Sequence, residues 1–162
     1  MAYWRLFYHL VWSTTKRHPQ IDAETAELSQ RSFRATCHDL HIIVHAIGTM
    51  PDHVHLAVSI PPTVAVTDAI SRLKGSASHL VNRAMTRDDN FSWQNEYAVH
   101  SFGERHLPAV VDYVLNQHAR HAERNLWMQL EPTNEQCSNG AGPAGPGAGL
   151  KTRAQPTKPF QA

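Results

Sequence analysis

Residues 41–60 read HIIVHAIGTMPDHVHLAVSI, and the reading of this stretch decides the fold. Its first half is apolar and rich in β-branched residues, the composition of a strand. Its second half, from Asp52 to Ile60, is another strand, and the short connection over residues 48–52 makes the two a hairpin. Alternation along the second strand puts His53 and His55 on one side, about 6.5–7 Å apart at their Cα atoms. Val54, Leu56, Val58 and Ile60 take the other side, where they can anchor the strand to helices.

The rest of the chain falls into place around that hairpin. Residues 3–14 alternate, with Trp4, Leu6, Tyr8, Leu10 and Trp12 sharing one strand face. After the break at Pro19, Asp22 is placed as a helix N-cap, and Glu24 and Glu27 suit a first helical turn. Ala26, Phe33, Cys37 and Leu40 would line that helix's buried side. Beyond the hairpin, Ile70, Leu73, Ala77, Leu80 and Ala84 recur at amphipathic-helix spacing. FSWQNEYAVHSF (91–102) returns to strand character around a tight turn, and LPAVVDYVLNQHARHAERNLWM (107–128) is a last long helix. The order β-α-β-β-α-β plus a terminal helix predicts an α+β, ferredoxin-like domain: an antiparallel sheet with helices packed on one face. That domain is expected over residues 1–131, followed by a disordered Gly/Pro/Ala-rich tail over 132–162.

Composition limits the function classes. The 162 residues are enough for one domain with a core. Lys plus Arg is 15 against 14 for Asp plus Glu. Lys151, Arg153 and Lys158 sit in the tail, after the last acidic residue, which leaves 12 basic against 14 acidic residues before it. A non-specific polyelectrolyte binder would be more basic, so any nucleic-acid role rests on a local site. Cys37 and Cys137 belong to no CxxC pair, which speaks against a structural zinc site and a disulfide framework. Arg5 and His9 interrupt the N-terminal apolar run, and no segment approaches membrane-spanning length. A cytoplasmic protein is expected.

With 12 histidines in the chain, an H-x-H arises by chance roughly once in a sequence of this composition. The pair could be two satisfied sheet-surface histidines or two ligands of one ion. The last helix offers a partner for the second reading. With Val111 at zero on a helical wheel, Leu115, Ala122 and Leu126 fall within an arc of about 60°, the expected buried side. Tyr113, Gln117, Arg120 and Arg124 lie opposite, at about 180–240°. Tyr113 and Gln117 are neighbours one turn apart.

These residues stand in blocks that resemble a known family. YHLVWSTTKR, GTMPDHVHLAVSIPP, SRLKGSASHLVN, FSWQNEY and YVLNQHARH are similar, in order, to the blocks of the IS200-like, single-tyrosine HUH transposases (TnpA) of small bacterial insertion sequences. The blocks span nearly all of residues 3–121. The resemblance implies His53 and His55 as metal ligands, Gln117 as third protein ligand and Tyr113 as nucleophile. It also implies a ferredoxin- or RRM-like fold, a divalent Mg²⁺ or Mn²⁺, and single-stranded DNA with hairpins at element ends. A homodimer is implied too, with sites that can be shared between protomers. Glu96 stands where relatives usually have Gly, so a tight turn there is expected to be altered.

The chemistry suits those residue types. Rejoining DNA without ATP requires conserving the phosphodiester energy, which a 5′-phosphotyrosine does. A tyrosine with a reference pKa near ~10 needs help to attack at neutral pH. An ion held by two imidazoles and a carboxamide can neutralise phosphate charge, and such a set suits Mn²⁺ at least as well as Mg²⁺. Arg5, Lys16, Arg17, Arg72, Lys74, Arg83, Arg120 and Arg124 are candidates for DNA backbone contacts, and Trp93 and Tyr97 for base stacking. Gly75 would allow close approach of either DNA or the sheet. Two rival functions share the fold: a hairpin-binding regulator without cleavage, and a replication-initiator nuclease.

Overall fold

The computed structural model describes residues 3–86, 89–117 and 119. The expected helix beyond this point, with Arg120 and Arg124, and the expected tail from 132 lie outside the described residues. The elements are β1 (Phe7–Ser13), α1 (Ala23–Asp39), β2 (Ile43–Thr49), β3 (His53–Ser59), α2 (Val66–Ala84), β4 (Ala98–Phe102) and α3 (Leu107–Leu115), with 3-10 turns at Thr15–Arg17 and Glu104–His106. The sheet order is β2-β3-β1-β4 and every pairing is antiparallel. This is the expected ferredoxin-like α+β arrangement. β1 starts later than its alternation suggested, so exposed Leu6 precedes the strand.

One sheet face carries the main core. Leu10 and Trp12 of β1, Val54, Leu56 and Val58 of β3, and Ile47 of β2 pack on Phe33 and Cys37 of α1 and on Ile70, Leu73, Ala77 and Val81 of α2. The α1 start is capped as expected: the Asp22 carboxylate accepts from the Thr25 N–H at 2.8 Å. In the second half of α2 the buried row passes through Val81, while Ala84 is exposed. A Cβ at Gly75 would meet nothing within 4 Å, so this glycine mediates no approach to the sheet.

The segment between α2 and β4 is held by side chains rather than by a long strand. The Asn82 carboxamide bonds both backbone groups of Phe91, at 2.9 and 2.7 Å. Trp93 forms an isolated bridge with Thr14. Its ring lies against Trp12, Phe33 and Phe91, and the residue is 8% exposed. Trp93 is therefore a core residue and is not available to stack on a base, contrary to the sequence expectation. Alternation could not reveal this, because Trp93 belongs to no regular strand.

α3 lies on the second face of the sheet, alone among the described helices. Ala46 and Ala57 from the sheet and Val110, Tyr113 and Val114 from α3 form a separate small core there. The side carrying Tyr113 and Gln117 closes over the histidine-bearing face, as it must to serve the histidines, but it does so as a buried side and not as an open polar one. Leu115, expected to be buried, is 62% exposed, while Tyr113 and Gln117 are each 1% exposed. Apolar residues occur around most of α3, so the wheel has no decisive apolar arc, and the sheet's histidine-bearing face selects which side is covered.

Candidate active site

The site is built on that second face. His53, His55, Ala57 and Ser59 of β3 alternate onto it, and the register brings Ser13 opposite His53, Val11 opposite His55 and His9 opposite Ala57. β2 places Gly48 beside His55, and β4 places His100 beside His9. The imidazole rings of His53 and His55 are 5.0 Å apart between centroids, and both residues are buried.

Gly48 decides how closely α3 can approach. A Cβ there would stand 2.4 Å from the Val114 carbonyl oxygen and 3.4 Å from Gln117 Cγ. Only a residue without a side chain lets the α3 backbone lie this near the sheet. Because Gly48 is registered with His55, the same contact brings the Gln117 side chain to the strand position next to His55. One turn back, the Tyr113 ring sits edge-on to His55 (6.2 Å, 82°) and to His9 (6.4 Å, 85°). The structure therefore brings His53, His55, Tyr113 and Gln117 together on one sheet face within a single chain.

Two further side chains orient the histidines. Asp52 Oδ1 lies 2.6 Å from His53 Nδ1, and Arg17 Nε donates to Asp52 Oδ2 at 2.8 Å. Burial pushes the Asp52 carboxyl up, but hydrogen bonds and charge from His53 and Arg17 outweigh it and hold it at about 2. An ionised carboxylate only accepts, so a neutral His53 carries its proton on Nδ1, and Nε2 is the nitrogen with the lone pair. Arg17 and its neighbour Lys16 have φ of 54° and 56°, a left-handed conformation that non-glycine residues seldom adopt. His9 Nε2 lies 3.0 Å from His55 Nδ1. His9 is fully buried, and burial first, then the charge of His100, lowers its pKa to about 3. His100 is also lowered by burial.

The residues present fit a divalent ion. Among the described residues no group of three His, Cys, Asp or Glu side chains is disposed to hold one, so a third ligand must be of another type. Gln117 would fit that place: both ends of its carboxamide are buried and make no hydrogen bond among the described residues. A native structure rarely leaves such a group without a partner. Two imidazoles and an amide oxygen form a set that leaves positions open for phosphate and water.

The proposed DNA contacts separate on burial and partners. Lys16, Arg72 and Arg83 are exposed. Arg5 is exposed but pairs with Glu104 and the Tyr3 hydroxyl. Arg17 is half-buried in its ion pair with Asp52. Lys74 is turned inward: its ammonium donates to the carbonyls of Gln94 (2.5 Å), Asn95 (3.0 Å) and Glu96 (3.5 Å). All three donors have internal acceptors, so Lys74 staples a loop rather than gripping a phosphate. That staple holds the turn where Glu96 stands, and Glu96 is not among the residues of positive φ. The turn thus needs no glycine. Tyr97 is 38% exposed with Lys74 over its ring at 5.8 Å, leaving one ring face for another partner.

Sequence reasoning missed His9, Gly48 and Asp52. For His9 a signal was present. The alternation that put Tyr8, Leu10 and Trp12 on one face puts His9 on the other, the side that also receives the paired histidines.

A ferredoxin-like sheet that presents an H-x-H pair beneath a helix carrying a tyrosine, with a glutamine just past the helix end, defines the class as α+β proteins with a histidine–tyrosine site on the sheet. Residues 2–117 match the model of the family described as Transposase IS200 like, and the chain belongs to that family. The ISDra2 transposase TnpA of Deinococcus radiodurans is 27% identical over 120 residues, covering 71% of this chain and 86% of the relative. A crystal structure of a candidate transposase from Deinococcus radiodurans R1 aligns with TM-score 0.57 and 25% identity, covering 72% of this chain and 95% of that one. A REP-associated tyrosine transposase bound to a REP hairpin aligns with TM-score 0.58 at 15% identity, over 82% and 89% of the two chains, and shows the shared fold. Among the described residues no helix is long and apolar enough to cross a membrane.

Proposed function

We propose that this chain cleaves and rejoins single-stranded DNA at the ends of an insertion sequence through a covalent 5′-phosphotyrosine at Tyr113. The observation that carries the reading is the packing of the Tyr113 ring edge-on to His55, one turn from a Gln117 side chain laid beside Gly48. His53, His55 and Gln117 would hold a divalent cation, Mg²⁺ or Mn²⁺. When bound, that ion supplies charge neutralisation at a non-bridging phosphate oxygen. The chain's own residues do the rest. The Tyr113 oxygen attacks the phosphorus, the bond from phosphorus to the 3′ oxygen breaks, and the 3′-hydroxyl leaves with a proton. The reverse attack by a 3′-hydroxyl reseals the strand and frees the phenol.

Attack requires the phosphorus within about 3–3.5 Å of the phenol oxygen. Tyr113 is 1% exposed, so α3 must shift to admit the scissile strand. A hairpin-bearing substrate agrees with the REP hairpin held by one structural relative. Lys16, Arg72, Arg83 and Tyr97 remain the exposed groups suited to contact it. A homodimer, with Tyr113 serving either its own or the partner's histidines, is compatible with that movement.

The test is direct. An oligonucleotide carrying the element end, incubated with the protein and Mg²⁺ or Mn²⁺, should yield a protein–DNA adduct that survives denaturation. Tyr113→Phe should reduce it below detection. An undiminished adduct in the Phe variant would remove Tyr113 from this role, and hairpin binding without any adduct would point to a regulator.

A further inference from the structure

Each candidate histidine ligand has its Nδ1 engaged, but by groups of different kinds. His53 Nδ1 faces a carboxylate at 2.6 Å, which accepts only and thereby places the proton whether or not an ion is present. His55 Nδ1 faces another imidazole, His9 Nε2, at 3.0 Å. That pair has two arrangements. In one, His55 Nδ1–H donates to His9 and His55 Nε2 keeps a lone pair. In the other, His9 Nε2–H donates to His55, whose own proton then sits on Nε2 and blocks coordination.

We propose that His9 is a positioning residue whose Nε2 accepts the His55 Nδ1 proton, so that ion binding at His55 locks His9 as its Nδ1–H tautomer. The proposal rests on the metal reading of the site given above. The geometry holds His9 to this task. Its ring is nearly parallel to His55 (5.1 Å, 13°) on one side and to His100 (6.0 Å, 25°) on the other, with the Tyr113 ring edge-on at 6.4 Å. It is fully buried, so water does not compete for Nε2. Its Nδ1 makes no hydrogen bond among the described residues, so no protein acceptor or donor there dictates the tautomer. The choice is left to the His55 bond. The two histidines therefore differ: Nδ1 of His53 faces a carboxylate that can only accept, while Nδ1 of His55 faces an imidazole that can accept or donate.

Histidine ¹⁵N shifts in the full chain report the tautomers, and Mn²⁺ affinity without DNA reports the consequence. With Mg²⁺ added, His55 is expected as Nδ1–H and His9 as Nδ1–H. His9→Gln, whose amide oxygen takes the place of Nε2, should keep Mn²⁺ affinity near wild type. His9→Phe removes the acceptor, and His9→Asn places it out of reach; both should lose about 10–100-fold in Mn²⁺ affinity. Should the Phe variant fail to fold, the Gln and Asn pair decides. His53→Ala is the separate control. If it also binds Mn²⁺ like wild type, the metal reading itself fails. If it loses binding while His9→Phe and His9→Asn do not, or if His55 in the Mg²⁺-loaded protein carries its proton on Nε2, the role of His9 is overturned alone.

Discussion

The two faces of one four-stranded sheet follow different rules. On the side of α1 and α2, Leu10, Trp12, Val54, Leu56 and Val58 meet apolar helix rows, and burial of carbon surface is the whole purpose. On the side of α3, the strand positions in between carry His9, His53, His55 and His100, and the apolar contact is confined to Ala46, Ala57, Val110, Val114, the Tyr113 ring and their neighbours. The first face makes the domain stable. The second is polar, close-packed and only partly satisfied among the described residues, the condition expected of a site that substrate and ion would complete under the proposed function. Neighbours in sequence can therefore differ completely in what their removal does.

The pair His55 and Leu56 offers the sharpest test of this division, since both are fully buried on opposite faces. Leu56→Ala should lower unfolding free energy by about 2–5 kcal/mol in urea titration. His55→Ala should cost less stability while abolishing the DNA adduct. Equal destabilisation with retained adduct formation would erase the distinction.

Gly48→Ala probes the contact between β2 and α3. The added carbon would meet a backbone oxygen at 2.4 Å, so α3 must move away. A loss of about 1–3 kcal/mol is expected, together with weaker Mn²⁺ binding because Gln117 moves with the helix. Unchanged metal affinity would show that Gln117 is not a ligand.

Acid should act on the histidine face. The His9 pKa is depressed from 6.5 to about 3, and those of His45 and His100 are lowered in the same direction by burial. The unfolded chain thus binds protons below pH 6.5 that the folded chain refuses. Stability then falls as pH drops, by up to about 1.4 kcal/mol per pH unit for His9, with His45 and His100 acting in the same direction. For His9 the window runs from 6.5 down to about 3. Asp52, held at about 2 against an ordinary 3.8, adds a further loss between those values. Chemical denaturation of metal-free protein at pH 7.5, 6 and 5 measures the first window, and a flat profile would contradict it.

The smallest effect is expected on the outer side of α3. Leu115→Ala, at a residue 62% exposed, should change stability by no more than about 0.5 kcal/mol. A loss of core magnitude would contradict this orientation of α3.

Much of the fold was legible along the chain because its signals are local. Alternation in residues 53–59 placed the histidines on one side and their anchors on the other, as the β3 register shows. The Asp22 cap and the apolar rows of α1 and α2 depend on spacing within one element, and they were read nearly to the residue. The short hairpin between β2 and β3 constrained topology further. Trp93 and Lys74 were misjudged for a common reason: each acts through a segment distant in sequence, Trp93 through Trp12 and Phe33, and Lys74 through three carbonyls twenty residues on.

The amino-acid order alone specified the α+β topology, the paired histidines and their spacing from a tyrosine and a glutamine one turn apart, since periods of 2 and 3.6 residues are written into each element. That the Tyr113 side of α3 is buried against the sheet while Leu115 is exposed was settled only in three dimensions. So were the assistance of His9 and Asp52 to the two imidazoles and the need for a bare backbone at Gly48. Those facts are contacts between surfaces, and a surface acquires its partner only when the strands have paired and the helix has come down upon them.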